Sequence, residues 1–220
     1  MKCILNRQNL KLNIGCGPNS QFDDFINIDN SPSVLLGRFP YIKKLLYKLN
    51  FIDFDKYKAD WTGIMRCDVS RGLPFDNESV DKIYSSHFLE HIPYKKGQFV
   101  LKECFRVLKK NGVMRLIVPD LLLHAERYVG RTHELLLNSN LPSDKVIHDD
   151  FLNTIYGAYL KKKRYGLQHC YMYDLPTLVA MLKSTGFTNI QKVQYRQGTD
   201  KELASNDSRP EDSLHLEITK

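Results

Sequence analysis

Short apolar runs alternate along this chain with stretches in which apolar residues recur every three or four positions. Runs with the length and composition of strands lie at residues 12–15, 25–28, 64–67, 82–85, 113–118, 190–195 and 213–218. Strands that alternate with helices are typical of α/β proteins with a largely parallel sheet. A polar stretch, QGTDKELASNDSRPED, joins the last two strands and is typical of a loop, so we expect that pair to be antiparallel.

Four helices are predicted between these strands. The clearest covers residues 94–110, where apolar side chains form a stripe and the dipeptide Asn111-Gly112 follows as a stop signal. Asp120 is positioned to cap a helix that ends near residue 135. Two more are expected at residues 149–160 and 174–184, the second followed by Gly186.

Residues 33–60 differ from the rest of the chain. Apolar side chains recur there at helical spacing, basic side chains lie between them, and Pro40 interrupts the pattern. We predict one domain over residues 1–220 that carries this segment as a helical cap or lid. An alternative is that residues 34–49 form a peripheral contact with an anionic membrane.

Length and composition favour a single globular domain. The 220 residues are 42% apolar and 26% charged, no apolar run is long enough to span a bilayer, and the N-terminus lacks the pattern of a signal peptide. We therefore expect a cytoplasmic protein. The five cysteines form no CxxC pair, which argues against structural zinc and against a disulfide framework.

The net charge of +7 raises the question of nucleic-acid binding. The lysines lie in short clusters without interleaved aromatic residues, so nucleic acid stays a possible partner but is not favoured.

The stretch KLNIGCGPNS resembles a strand that runs into a nucleotide-binding loop. It has only two glycines, Gly15 and Gly17, and Pro18 removes one of the backbone donors that a diphosphate requires. Asp29 ends the next strand, fourteen positions after Gly15, where an acid can accept hydrogen bonds from ribose hydroxyls. This combination predicts a nucleoside-type cofactor without a diphosphate, and S-adenosylmethionine is the common one. A turn at Asp29 is the structural alternative.

Taken together, six stretches resemble the class I S-adenosylmethionine-dependent methyltransferases, of the broad bacterial type often called the type 11 methyltransferase domain. In chain order they are LNIGCG, INID, CDVSRGLPF, VDKIYSSHFLEHI, ECFRVLKKNGVMRLIVPD and HCYMYDLPTLVAMLKSTGF. The resemblance implies a Rossmann-like fold: a mostly parallel seven-stranded sheet flanked by helices, with the last strand antiparallel. It also implies an enzyme that uses S-adenosyl-L-methionine.

The resemblance assigns the cofactor contacts to the ends of the first four strands. The residues implied are Asn13, Gly15, Cys16, Gly17, Asp29, Asp68, Val69, Ser85 and Ser86. Asp29 would hold the ribose, Asp68 the adenine amino group, and Val69 would pack against the ring. A turn capped by Asp68 before Ser70 is the alternative explanation for that residue.

The segment HFLEHI is similar to one that binds a divalent metal in small-RNA 2′-O-methyltransferases and ubiquinone-pathway O-methyltransferases. Only Glu90 and His91 match that pattern, and His87 stands where the first glutamate would be. Imidazole in place of a carboxylate disfavours magnesium, so we expect no metal.

If the methyl acceptor is a hydroxyl, its proton must leave, and a histidine is the natural base. His87 and His169 are the predicted catalytic residues, and His91 and Tyr173 the predicted acceptor contacts. His87 and His91 could instead be satisfied interior histidines, the commoner fate of a histidine near an apolar helix. We expect a small-molecule or glycan-type acceptor. The alternatives are an RNA acceptor and a domain that binds S-adenosylmethionine or S-adenosylhomocysteine without catalysis; a nicotinamide dehydrogenase is the least favoured.

Overall fold

The computed structural model describes residues 9–137, 146–157, 168–209 and 212–220. One seven-stranded sheet has the order β3-β2-β1-β4-β5-β7-β6. Its strands are β1 Lys11–Ile14, β2 Ile26–Asp29, β3 Met65–Arg66, β4 Val80–Ser86, β5 Leu108–Pro119, β6 Asn189–Val193 and β7 Ser213–Thr219. Strands β1 to β5 are parallel, and β7 is antiparallel to both β5 and β6. The predicted fold is confirmed, including the antiparallel last strand.

Helices pack on this sheet and extend beyond β2. They are α1 Ser33–Gly37, α2 Pro40–Lys48, α3 Phe54–Lys58, α4 Tyr94–Val107, α5 Leu121–Leu137, α6 Val146–Ile155, α7 Leu175–Thr185 and α8 Lys201–Ser205. The predicted caps are in place: Asp120 Oδ1 accepts from the Leu122 amide at 3.1 Å, and Gly186 ends α7 with a φ of 114°. The prediction at residues 149–160 corresponds to α6, which begins three residues earlier, and residues 158–160 lie outside the described residues.

Two predictions of secondary structure are wrong. The helix at residues 94–110 ends at Val107, because Leu108 pairs with Val80 as the first residue of β5. The predicted loop between the last two strands contains α8. Asp200 caps this helix by accepting from the Leu203 amide at 3.0 Å, and the Leu203 side chain is buried. One anchoring leucine in a polar stretch was too weak a signal to predict it.

Residues 33–60 fold into helices α1 to α3. Pro40 is the first residue of α2, a position where the missing N–H costs nothing, so it begins a helix and does not break one. No side chain of α2 or α3 is buried. Within the described part of the chain, no helix has the length and apolar character needed to cross a bilayer.

The strand order locates the functional edge of the sheet. Strand β1 lies between β2 and β4. The chain passes from β1 to β2 and β3 on one side, then returns across β1 to form β4 on the other side, so the direction of the strand order reverses at β1. In open parallel sheets, ligands bind outside the carboxyl ends of the strands at such a reversal point. The residues that follow β1, β2 and β4 here are Gly15, Asn30 and His87.

Candidate active site

A cleft opens at this reversal point. Its lining comes from the ends of β1, β2 and β3 and from the turn after β4: Gly15, Ile28, Asp29, Asn30, Cys67, Asp68, Val69, Ser70, Phe88 and Ile92. Two of these side chains are carboxylates and none is basic. Such a wall repels phosphate and accommodates a neutral or cationic ligand with hydroxyl and amino groups.

Gly15 and Gly17 both adopt the left-handed conformation that favours glycine, with φ values of 72° and 57°. The Gly15 amide donates to the Ile28 carbonyl at 2.8 Å, which ties the loop to β2. A Cβ on Gly15 would lie 2.5 Å from the Cβ of Phe88, whereas one on Gly17 would meet nothing within 4 Å. Gly15 therefore allows Phe88 to pack on the loop, and Gly17 leaves open space beside it.

Asp29 ends β2 and lines the cleft, as predicted for a ribose ligand. Its Oδ2 accepts from the Gly17 amide at 3.0 Å and its Oδ1 from the Ser31 amide at 2.7 Å. These bonds fix the carboxylate between the two turns and leave each oxygen further acceptor capacity. The alternative of a turn at Asp29 is thus also realised, and the two roles are compatible.

Asp68 also combines a turn with a place in the cleft wall. Its Oδ1 accepts from the Ser70 hydroxyl at 2.7 Å and from the Ser70 amide at 3.1 Å, and Arg71 Nε lies 3.0 Å from Oδ2. The hydrogen bond from the Ser70 side chain is the main cause that lowers the pKa of Asp68. Val69 is buried beside it in the cleft wall. The carboxylate is therefore held ionised and oriented.

Three other predicted cofactor contacts, Asn13, Cys16 and Ser85, are buried. Asn13 Nδ2 donates to the Ser20 carbonyl at 2.5 Å and to Asn27 Oδ1 at 2.9 Å. Burial raises the pKa of the Cys16 thiol to about 12, and Ser85 Oγ donates to the Ile14 carbonyl at 3.2 Å. These side chains support the loop at Gly15 and Gly17 from the interior of the protein. Ser86, half-buried at the end of β4, is not among the lining residues.

Next to the cleft, three histidines surround one carboxylate. Glu90 is fully buried, with His87 Nδ1 3.3 Å and His91 Nε2 4.0 Å from its Oε1. His169 completes the group: its ring centroid lies 5.0 Å from that of His91. Burial lowers the pKa of His169, although the charge of Glu90 opposes this effect. The two sequence segments HFLEHI and QHCYMYD are thus brought together by the fold.

Backbone hydrogen bonds fix this juxtaposition. The Cys170 and Tyr171 amides both donate to the Glu90 carbonyl, at 2.6 and 3.2 Å. On the other side, His87 has a φ of 51° and its amide donates to the Ile117 carbonyl at 2.9 Å. A non-glycine residue in this conformation is strained, and such strain clusters at functional sites.

Tyr173 lies in a different environment from the one predicted. It is fully buried in the core, its hydroxyl has no hydrogen-bond partner among the described residues, and burial raises its pKa. A side chain in that position offers no surface to an acceptor, in contrast to the predicted contact. Tyr171, whose ring centroid lies 4.9 Å from that of Tyr173, is only partly buried.

Sequence reasoning did not assign a role to several cleft residues. Asn30, Phe88 and Ile92 line the cleft, but nothing in their type or spacing marks them as ligand contacts. Glu90 was weighed only as part of a metal pattern. The available signal for a cluster around Glu90 was the presence of histidines in both HFLEHI and QHCYMYD, two segments that are far apart in the sequence.

A family model described as a methyltransferase domain matches residues 12–116, from β1 into β5. Solved structures are similar over nearly the whole chain. An S-adenosylmethionine-dependent methyltransferase from Archaeoglobus fulgidus is 13% identical, with 98% of this chain and 88% of that chain covered and a TM-score of 0.49. For one from Mesorhizobium loti the values are 16%, 96%, 90% and 0.49.

A possible exported protein from Bordetella parapertussis is 12% identical, with 100% of this chain and 65% of that chain covered and a TM-score of 0.50. This last likeness concerns the fold alone. No curated protein matches the sequence.

Proposed function

Because this chain belongs to the S-adenosylmethionine-dependent methyltransferases through its methyltransferase domain, we propose that it moves a methyl group to a hydroxyl of a small-molecule or glycan-type acceptor. The observation that carries the proposal is the pairing of an acidic, phosphate-repelling cleft with a histidine–glutamate cluster at its edge.

The cleft residues fit S-adenosylmethionine. Asp29 would accept from the ribose hydroxyls and Asp68 from the adenine amino group, while Val69 and Ile92 supply apolar surface for the ring. The positive-φ glycines bring the backbone of the loop close to the rest of the ligand. A cationic sulfonium with an ammonium group suits a wall that has two carboxylates and no basic side chain.

The cofactor supplies a methyl group that is already activated by positive sulfur, so the protein mainly has to align the acceptor and take its proton. Of the two histidines predicted as the base, His87 is placed better. Its Nδ1 faces the Glu90 carboxylate at 3.3 Å, which favours the tautomer with the proton on Nδ1. Nε2 is then the acceptor and already meets the Ser213 hydroxyl at 2.8 Å. The contact with Ser213 holds the ring in this orientation, and the Glu90 carboxylate lies on its Nδ1 side.

Replacing His87 with asparagine is expected to lower kcat by ~100-fold or more, the usual contribution of a general base. Asparagine tolerates the positive φ of this position, so the backbone is preserved. Calorimetry should show that the affinity for S-adenosylmethionine is unchanged. His169→Asn is measured in parallel, and His133→Ala, at an exposed histidine of α5, is the control. If turnover is unaffected in both His87→Asn and His169→Asn, neither residue is the base.

The acceptor class is tested by transfer of label from methyl-labelled S-adenosylmethionine into fractionated cell extract. Label in the small-molecule or glycan fractions supports the proposal. Label in RNA, together with RNA binding that weakens steeply with salt, would replace it with the RNA alternative. Tight cofactor binding with no label in any fraction would leave a binding domain without catalysis.

The surface of α1 to α3 supports a further expectation about the acceptor. Large apolar side chains are exposed on it, among them Phe39, Tyr41, Leu45, Leu49 and Phe51. Basic residues lie between them, which is the composition of a segment that rests on an anionic membrane. We propose that residues 34–49 contact such a membrane when the acceptor is lipid-linked.

Sedimentation with vesicles tests this contact. We expect binding to vesicles of phosphatidylglycerol and phosphatidylcholine but not to phosphatidylcholine alone. The double variant Lys44→Gln/Lys48→Gln should bind about 30-fold more weakly, since each of the two basic residues removed near the surface contributes about 1 kcal/mol. Equal binding to the two vesicle types would contradict an electrostatic contact, and no binding would leave these helices as a cap.

A further inference from the structure

The carboxylate of Glu90 is an unusual group in this fold. Its side chain is fully buried, and neither oxygen has a hydrogen-bond partner among the described residues. A buried carboxylate without hydrogen bonds is costly and is normally compensated by a cation or a metal ion. The compensating group is therefore to be sought among the atoms that face Glu90.

His87 Nδ1 lies 3.3 Å from one oxygen of Glu90 but forms no hydrogen bond with it. Two further imidazoles, those of His91 and His169, face Glu90 with a free ring nitrogen. Donor atoms of Glu90, His91 and His169 all lie within 4.8 Å of one another. His91 Nδ1 lies 3.0 Å from the Gln168 carbonyl, so Nδ1 carries the proton and the lone pair of Nε2 points toward Glu90. His169 Nδ1 is buried and, within the described residues, has no hydrogen-bond partner.

The hydrogen bonds made by His91 and His169 are those typical of metal-bound histidines. Metal-bound histidines usually donate their second ring nitrogen to a backbone carbonyl or carboxylate, which fixes the tautomer. His91 does so to Gln168, and the backbone of Thr154 hydrogen-bonds the His169 side chain. The backbone bonds from Cys170 and Tyr171 to Glu90 hold the two ligand-bearing segments together without the ion.

We propose that Glu90, His91 and His169 bind one divalent transition-metal ion. Two imidazoles and one carboxylate suit zinc, iron, manganese or cobalt, and a three-ligand site leaves coordination positions open for water or substrate. Ligands about 2.1 Å from a tetrahedral ion lie ~3.4 Å apart, so modest side-chain rotations close the present separations. Magnesium, which prefers oxygen ligands, is disfavoured by the two imidazoles.

This proposal departs from the expectation of no metal, and the reason is specific. The expectation of no metal rests on HFLEHI alone, which has His87 where the magnesium-binding pattern has a glutamate. His87 is not a member of the ligand group, whereas His169, from a segment 78 positions after His91, is. The role of the ion rests on the proposed function: an open position can take the acceptor oxygen and lower the pKa of its hydroxyl.

Cobalt titration of the full chain tests the site directly. Metal-free protein prepared with a chelator is titrated with Co²⁺, and we expect visible absorption bands that saturate at one equivalent. Zn²⁺ should abolish them and millimolar Mg²⁺ should not. His169→Ala and Glu90→Gln should each weaken Co²⁺ binding by ~100-fold or more, beyond the loss typical of an outer-shell change.

His133→Ala, at an exposed histidine outside the cluster, is the matched control and should titrate like the wild type. Circular dichroism and S-adenosylmethionine calorimetry on each variant establish that it is folded. Wild-type protein without saturable Co²⁺ bands, or bands that are unchanged in folded His169→Ala, would overturn the proposal and leave a proton-linked glutamate–histidine network. Since Co²⁺ binding needs no methyl acceptor, its result is independent of whether methyl transfer is observed.

Discussion

Replacing Gly15 with alanine is expected to weaken the binding of S-adenosylmethionine by ~100-fold. Two costs coincide at this position. The φ of 72° is unfavourable for a residue with a Cβ by about 1–2 kcal/mol. The new Cβ would lie 2.5 Å from Phe88, so the aromatic ring that lines the cleft must move at a further cost of about 1–3 kcal/mol. Because the loop at Gly15 and the ring of Phe88 line the cleft, they would relax to avoid these costs in the free protein, and cofactor binding would have to restore them. A combined cost of about 3 kcal/mol on binding corresponds to ~100-fold.

Isothermal calorimetry with S-adenosylmethionine and S-adenosylhomocysteine measures this change, and circular dichroism checks the fold. Gly63→Ala separates the two costs, because its φ is 74° but a Cβ would meet nothing within 4 Å. It should be destabilised by about 1–2 kcal/mol and bind the cofactor normally. Asp29→Ala should show the intermediate loss of about 1–3 kcal/mol expected for a charged hydrogen bond to ribose. A folded Gly15→Ala protein with wild-type affinity would mean that the cofactor binds elsewhere.

The sequence predicted the sheet well because its strands are short, apolar and separated by recognisable stops. Asp120, Asp174 and Gly186 are local signals, and each lies at the helix end that it marked. The positions of Gly15 and Asp29 in the cleft were also accessible from sequence, since Gly15 follows β1 and Asp29 ends β2. Their contacts with the cofactor stay a prediction. In such cases the function of a residue depends on its immediate neighbours in the chain.

Other features depend on contacts between distant segments and could not be predicted in the same way. Leu108 has a helical neighbourhood but is taken into β5 by pairing with Val80. His169 has no local pattern that identifies its partners, and contacts between distant segments, among them the backbone bonds of Cys170 and Tyr171 to Glu90, bring it to the cluster. Tyr173 was expected to contact the acceptor, but packing against distant segments buries it in the core.

The least predictable interaction is a buried ion pair. Arg115 in β5 is fully buried, and its Nε donates to Asp207 Oδ1 at 3.1 Å, while its Nη2 also bonds Oδ2. The guanidinium further donates to the carbonyls of Gln197 and Gln194, at 2.8 and 3.2 Å. Arg115 thus ties three residues of the connection between β6 and β7 to the sheet: Gln194, Gln197 and Asp207. An arginine within a strand gave no indication of this role.

Replacing Asp207 with asparagine is expected to destabilise the protein by about 3–5 kcal/mol, because it leaves the guanidinium buried without its main counter-charge. That is a large part of the total stability of an ordinary domain, about 5–15 kcal/mol. Urea unfolding followed by circular dichroism measures the change. Glu78→Gln, which removes a more exposed ion pair with Lys220 at 3.3 Å, is the control and should cost no more than about 1 kcal/mol.

The double variant Arg115→Met/Asp207→Leu shows whether the ion pair contributes net stability to the fold, or whether only the loss of one of its two charges is costly. If the loss in Asp207→Asn comes from an uncompensated buried charge, removal of both charges should recover part of it. If the double variant is as unstable as Asp207→Asn or more so, the bonds to Gln194 and Gln197 carry the stability. A loss below about 1 kcal/mol in Asp207→Asn would show that Glu217, 4.0 Å from Arg115, compensates the charge instead.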